Sequence, residues 1–369
     1  MNLKKIKKIK KIKKIKKMNM ARLAFQKRWK IRVASQFFDF LIIKQDLFNP
    51  QAVKTILILR EDNKIGDSIV ASGLIKALER AGYAVDVVTG KDNAFIYQAA
   101  SFAGKVFSHS SKKSSVLKTV CRLRRQQYDL LLDFGDDISA SHYAFVSLIN
   151  AKYTLGFNKE VFKRYNVNIP YAFYDRHVSE RYKTVLQKLG LSAENYRYEI
   201  TIPDIVANAV TMFMAPLLPG KLIVINPFAA CKTRLMSDHQ LGYVIEKIKQ
   251  VTPDAVIIII GPPALMESLK LDARAIKSPF TSFLSAAAIV KQADLIITPD
   301  TSWVHLACSY QKPLIALYAN AILEGGFINN KVWAPNYAQA TQIITQEKNI
   351  SSIDNKKIGV EIERYMLAP

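Results

Sequence analysis

Three short stretches hold the residue types that handle phosphorylated substrates. The first reads Leu59-Arg60-Glu61-Asp62-Asn63-Lys64-Ile65-Gly66-Asp67-Ser68. An apolar run ends there, a charged loop follows, and Gly66 permits a tight approach where a helix opens at Asp67 or Ser68. Two readings stand side by side: Asp67 or Ser68 caps the helix, or the Asp67 carboxylate is a general base that takes a proton from a hydroxyl. The second stretch is Asn226-Pro227-Phe228-Ala229-Ala230-Cys231-Lys232-Thr233-Arg234, just ahead of a capping box, Ser237-x-x-Gln240. Lys232, Thr233 and Arg234 have the charge and the donors to grip a diphosphate, Arg through its planar fork; ordinary exposed loop charge is the plainer alternative. The third is Thr298-Pro299-Asp300-Thr301-Ser302-Trp303-Val304-His305. A helix N-terminus there, with the Thr301 and Ser302 hydroxyls, is a natural anion site. Asp300 is placed to cap that helix, and His305 lies about one turn inside it, either as a satisfied core histidine or as part of the site.

Each stretch needs a strand before it and a helix after it. From Thr55 onward, short apolar runs alternate with helical patterns, which predicts parallel sheets flanked by helices. The first set of predicted strands is 56–59, 84–89, 130–133 and 153–156, with helices at 68–81, 114–127 and 140–150. Pro203, Pro216, Pro219 and Gly220 mark a break near 200–220. The second set of strands is 222–225, 256–260, 295–298 and 314–318, with helices at 238–251, 283–292 and 303–310. A last helix is predicted over 356–366. The expected organisation is a basic extension over 1–52, an α/β domain over 53–215, a second over 216–345, and a C-terminal segment over 346–369 that packs back on the first domain. In such folds ligands sit outside the carboxyl ends of the strands.

Several classes lose support. No G-x-G occurs, nor a P-loop, so dinucleotide and P-loop nucleotide chemistry lack their fingerprints. Cys121, Cys231 and Cys308 are scattered, with no paired or His-flanked spacing, so neither a disulfide framework nor a zinc site is expected. A reduced, cytoplasmic compartment fits. No run of about 18 apolar residues predicts a membrane-spanning helix, and no cleavage site follows the apolar run at 37–43.

The net charge of +23 is unevenly spread: residues 1–32 hold 15 of the 53 Lys and Arg and no acidic residue. The remainder, 38 basic against 30 acidic, is mildly basic, as suits phosphorylated substrates. A nucleic-acid partner is therefore not expected of the whole fold. Lys-Lys-Ile triplets run from Lys4 to Ile15. A three-residue period does not hold one helix face, so a solvated, disordered arm is expected. Attraction to an anionic membrane surface is the functional alternative. Residues 21–43 support it, mixing Leu23, Phe25, Trp29, Ile31, Val33, Phe37 and Phe38 with Arg22, Lys27, Arg28, Lys30 and Arg32. A helix of that composition lies in a membrane interface or packs on the protein body.

In order along the chain, Ile56-Leu57-Ile58-Leu59-Arg60…Ile65-Gly66-Asp67, Asn226-Pro227…Lys232-Thr233-Arg234 and Ala293-Asp294-Leu295…Asp300-Thr301…His305-Leu306-Ala307 resemble glycosyltransferase family 9, the heptosyltransferases. The resemblance spans roughly Thr55 to Tyr318. It implies a GT-B fold, two Rossmann-like domains whose parallel sheets face a central cleft, with donor on the second and acceptor on the first. By position, Asp67 would be the base, and Arg60 and Lys64 would lie on the acceptor-side loop. Lys232 or Arg234 would neutralise the leaving diphosphate, and Thr233 joins them in that loop. Asp300, Thr301, Ser302 and His305 would hold the donor. The implied reaction is inverting, with no metal or cofactor, and moves a heptose from ADP-heptose to a lipid-linked core oligosaccharide at the inner face of the bacterial inner membrane.

Two departures bear on the donor. Ser302 stands where the family commonly has glycine, and Gly261-Pro262-Pro263 lacks an acidic residue often used to grip the ribose. Rival readings are a same-fold transferase for another nucleotide sugar, a nucleotide-sugar epimerase, and a non-catalytic polyanion-binding protein.

Overall fold

The computed structural model of the chain describes residues 3–40, 47–60, 63–99, 104–109, 113–136, 138–217 and 220–367. Residues 41–43, Glu61, Asp62 and Pro219, on which parts of the sequence reading fell, lie outside them. The chain runs α1 (Leu3–Phe40), β1 (Thr55–Arg60), α2 (Ile65–Arg80), β2 (Ala84–Gly90), α3 (Ala94–Ala99), β3 (Val106–His109), α4 (Lys113–Gln126), β4 (Leu130–Asp133), α5 (Ala140–Ile149), β5 (Tyr153–Phe157) and β6 (Val167–Ile169). It continues through α6 (Ser179–Lys188), α7 (Asp204–Met214), β7 (Leu222–Ile225), α8 (Asp238–Val251), β8 (Val256–Ile259), α9 (Pro263–Ser268), β9 (Ile276–Lys277) and α10 (Phe283–Gln292). Last come β10 (Leu295–Pro299), α11 (Ser302–Ser309), β11 (Leu314–Ala319), α12 (Asn329–Val332), β12 (Ala340–Thr345) and α13 (Asn355–Leu367).

Two six-stranded sheets result, ordered β3-β2-β1-β4-β5-β6 and β12-β11-β10-β7-β8-β9, with every pairing parallel. Counted from its own first strand, each sheet has the doubly wound order 3-2-1-4-5-6. The central strands read Ile-Leu-Ile-Leu, Leu-Leu-Leu and Leu-Ile-Val-Ile and are buried throughout, because helices cover both faces of a parallel sheet. The order reverses between β1 and β4 in one sheet and between β7 and β10 in the other. In doubly wound folds, strand ends at such points are where ligands bind.

The predicted central strands and most helices match within a few residues. The edge strands β3, β6, β9 and β12 were not legible, being short or polar. The stretch near 200–220, read as a break, contains α7, with Pro203 as its N-cap residue and Met214 buried at its end. The disordered arm expected over the Lys-Lys-Ile repeat is also corrected: the backbone is one helix from Leu3 to Phe40. Lys and Ile both tolerate helix, and no Gly or Pro interrupts them; a helix does not need a burying face to exist as backbone.

The chain divides into two compact units that do not follow the 53–215 and 216–345 segments. One comprises Met1–Asp62, Gly82–Lys91 and Gly104–Tyr171; the other comprises Asn63–Ala81, Asp92–Ala103 and Ala172–Pro369. Within the second unit, α2 is held along its length. A Cβ at Gly73 would fall 2.5 Å from the Arg197 carbonyl oxygen, so the backbone approach there requires glycine. The Tyr196 hydroxyl accepts from Leu74 N–H at 3.1 Å and donates to the Val70 carbonyl at 2.6 Å. The C-terminal helix, expected to return to the first domain, belongs to the second unit. Ile358, Ile362 and Met366 enter the core cluster beneath α8, and Lys221 bonds the Met366 carbonyl at 2.8 Å.

Candidate active site

At the carboxyl end of β7, Asn226 is buried and ties two strand ends together. Its side-chain N–H groups donate to the Phe228 carbonyl at 2.9 Å and to Thr298 Oγ1, on β10, at 3.0 Å. The loop after it turns through a 3-10 segment, Lys232–Arg234. Arg234 reaches across to β10, donating from one Nη1 to the Asp300 carboxylate at 2.7 Å and to its carbonyl at 3.2 Å. Asn329 donates to the same carboxylate oxygen at 2.7 Å. Asp300 is thus buried and engaged, and it does not cap α11; Thr301 is the N-cap residue, accepting from Trp303 N–H. Arg234 is thereby a fixed element of the loop. The Lys232 side chain is exposed, with no ion pair or hydrogen bond among the described residues. Thr233 touches the Cys231 sulfur at 3.1 Å, and Arg234 Nε donates to it at 3.3 Å. Burial pushes that thiol up, but these hydrogen bonds and the Arg234 charge bring it below its ordinary value.

Helix α2 begins at Ile65, with Lys64 as N-cap residue and no side-chain cap. The capping reading for Asp67 and Ser68 therefore fails. Ser68 is buried, bonding Asn93 at 2.6 Å and the Lys64 carbonyl at 3.2 Å. Asp67 is half-buried in the first turn, where the helix dipole favours a carboxylate. The turn rests on the N-terminus of α11: a Cβ at Gly66 would lie 3.2 Å from His305 Cδ2 and 3.6 Å from Ser302 Cα. Two helix N-termini, each carrying partial positive charge, thus meet beside one carboxylate.

His305 is 3 % exposed, and its Nδ1 has no hydrogen-bond partner among the described residues. Burial lowers its pKa to about 4, against the partial opposition of Asp300 and Asp67. It is neutral at neutral pH. Its ring is enclosed by His177, Tyr198 and Trp333 at centroid distances of 6.2, 6.2 and 5.6 Å. His177, half-buried, is lowered to about 3 by desolvation first and by His305 second.

Asp67, Lys64, Lys232, Thr233, Arg234, Asp300, Thr301, Ser302 and His305 all fall in this unit. Arg60 does not: it ends β1 in the other unit, buried, beside the end of β4. That strand end holds a cluster the sequence reading missed. Asp133 accepts from the His142 ring at 2.9 Å, from the Tyr165 hydroxyl and from Gly135 N–H. Burial raises its pKa, but His142, Tyr165 and Lys159 outweigh that and hold it at about 2. The buried Lys159 ammonium donates to the Gly135 and Asp136 carbonyls, clamping the loop after β4. An acid closing an apolar strand at the chain reversal was the available signal. Among the described residues, no group of three or more His, Cys, Asp or Glu is arranged to hold a metal ion.

Two doubly wound parallel sheets in one chain are the architecture of the GT-B class of transferases. The sequence model of glycosyltransferase family 9 (heptosyltransferase) matches residues 116–357. The chain belongs to that family. It is 27 % identical over 357 residues to an Escherichia coli K12 protein named "Putative lipopolysaccharide heptosyltransferase 4", covering 92 % of this chain and 96 % of that one. The fold is that of the glycosyltransferase family 9 protein from Veillonella parvula (TM-score 0.71, 17 % identity, 88 % of this chain and 99 % of that one). It is also that of the E. coli heptosyltransferase WaaC solved with ADP-2-deoxy-2-fluoro heptose (TM-score 0.64, 16 % identity, 84 % and 99 %).

Proposed function

We propose that the protein moves a heptose from ADP-heptose to a lipopolysaccharide core acceptor, with inversion and without a metal ion. The observation that carries this reading is the seating of the Asp67 turn on the N-terminus of α11. A diphosphate needs neutralisation as it leaves. The N–H groups that open α11, the Thr301 and Ser302 hydroxyls and the exposed Lys232 ammonium supply it. Arg234, held by Asp300, fixes the loop that carries Lys232. Asp67 takes the proton of the acceptor hydroxyl as that oxygen attacks the anomeric carbon from the face opposite the diphosphate, which inverts the configuration. Neutral His305 packs beneath both helix ends and keeps them in register. The names of the E. coli relatives support heptose, ADP and lipopolysaccharide as the substrate classes. A lipid-linked acceptor puts the working enzyme at the cytoplasmic face of the bacterial inner membrane.

One observation favours a second donor. A Cβ at Gly261 would lie 2.2 Å from the Phe228 ring, so an aromatic face covers the end of β8, and Pro262-Pro263 follow with no carboxylate. Another nucleotide sugar is the alternative on that ground. The test is a mass-spectrometric transfer assay with ADP-heptose, a panel of other nucleotide sugars and truncated core acceptor, beside Asp67→Asn. A gain of one heptose, about 10²–10⁴-fold slower in the variant with ADP affinity little changed, is the expected result. Near-normal turnover in the variant removes Asp67 from the base role; transfer only from another donor moves the specificity and keeps the mechanism.

A further inference from the structure

α1 meets its own unit through one face only. Ile31 and Phe38 pack against the core cluster that includes Tyr143 of α5. Phe38 meets the Tyr143 ring edge-on at 6.4 Å, and Asp39 accepts a hydrogen bond from the Tyr143 hydroxyl. At about 100° per residue, Ile31, Ala34, Ser35 and Phe38 share that side. The opposite side carries Met18, Phe25, Trp29, Val33, Phe37 and Phe40, each of them exposed, Trp29 by 58 % and Phe25 by 70 %. From residue 21 to residue 30 every side chain is exposed. The stripe extends for roughly 33 Å along the helix, longer than the scattered apolar side chains an ordinary surface shows.

Charge decides what covers it. Arg28 and Arg32 border the stripe on one side, Lys30 on the other, and Arg22 lies within it, while residues 1–32 contain no acid. The partner is therefore anionic and presents an apolar layer beneath its charge. Nucleic acid offers the charge without a layer that would take up Val33, Met18 and a continuous row of rings. Among the described residues no helix is long and apolar enough to cross a membrane, so the helix would lie along the surface.

We propose that α1 is a membrane-surface helix: Met18, Phe25, Trp29, Val33, Phe37 and Phe40 enter the headgroup region of an anionic bilayer while Ile31 and Phe38 hold the helix to the protein. Basic side chains near such a surface add attraction that salt weakens. The contact deepens the membrane placement proposed above, yet it is measurable without donor, acceptor or turnover, so failure of either reading shows separately.

The experiment is flotation of the full chain with vesicles of phosphatidylglycerol and phosphatidylethanolamine, or of phosphatidylcholine alone. The comparison protein is the triple variant Phe25→Ser, Trp29→Ser, Phe37→Ser, which keeps every charge. The protein should float with the anionic vesicles and not with the neutral ones. The variant should partition about tenfold more weakly or worse. Lipids brominated in their chains should quench Trp29 fluorescence in the unsubstituted protein. Equal binding of the variant means charge alone holds a polyanion, and overturns the proposal. So does absence of quenching, or absence of binding to anionic vesicles at low salt.

Discussion

Buried His305 and half-buried His177 make stability near the site depend on pH in a defined direction. In the unfolded chain a histidine titrates at about 6.5, whereas burial brings His305 to about 4 in the folded protein. Between those values the unfolded state binds the proton and the folded state does not, so unfolding becomes more favourable as pH falls. The contribution is fully present above about pH 6.5 and is lost as pH drops toward 4. Integrated from pH 7 to pH 5, the loss is about 2 kcal/mol for His305. His177, lowered to about 3, contributes a similar amount over the same interval. Urea unfolding of the wild-type chain and of His305→Gln at the two pH values reads the term, because the titrating groups that do not face His305 cancel in the difference and only His177, which does, adds a smaller change. At pH 5 the variant should recover about 2 kcal/mol relative to wild type, compared with their gap at pH 7. Parallel behaviour of the two proteins would show that His305 is hydrated or charged in the folded state, and the enclosed neutral ring beneath the two helix ends would be wrong. The same reasoning predicts that donor affinity has no step near pH 6.5 arising from His305.

Two further perturbations test the loop. Asp300→Asn removes the charge that holds Arg234 while keeping the shape. Loss of a partner from a fully buried pair costs about 3–5 kcal/mol, but Arg234 is one-third exposed and can rehydrate, so about 1–2 kcal/mol of stability is expected. ADP binding measured by calorimetry should weaken as well, and unchanged affinity would separate Arg234 from the donor loop. Alkylation should discriminate the cysteines. Exposed Cys231, with its lowered pKa, reacts with iodoacetamide well before buried Cys308, whose thiol burial raises to about 12. Bound ADP should protect Cys231, and peptide mapping that finds Cys308 modified first contradicts the burial pattern.

The amino-acid sequence by itself determined the repeating α/β order, because continuous apolar runs such as Ile56–Leu59 and Leu222–Ile225 have no stable home outside a two-sided parallel sheet. It also determined the three strand-to-helix junctions, since Gly66, Asn226 and Thr301 sit where strand periodicity stops and helical periodicity starts. Edge strands such as Val167–Ile169 were not legible, for pairing with a neighbour rather than local composition makes them strands. Tertiary structure alone decided what each junction residue touches. Asp300 reads in the sequence as a helix cap, yet Arg234, sixty-six positions earlier, takes its carboxylate. Arg234 and Lys232 look equivalent until that contact immobilises one and leaves the other exposed. Asp67 reads as a helix cap until the helix is seen to begin at Ile65, with Lys64 as its N-cap residue, and Gly66 to rest on His305. The Lys-Lys-Ile period likewise says nothing of the helix that contains it, whose exposed stripe is defined only once Ile31 and Phe38 dock against α5. In each case the deciding partner is distant in the chain, and local propensity contains no information about which distant group folding will bring near.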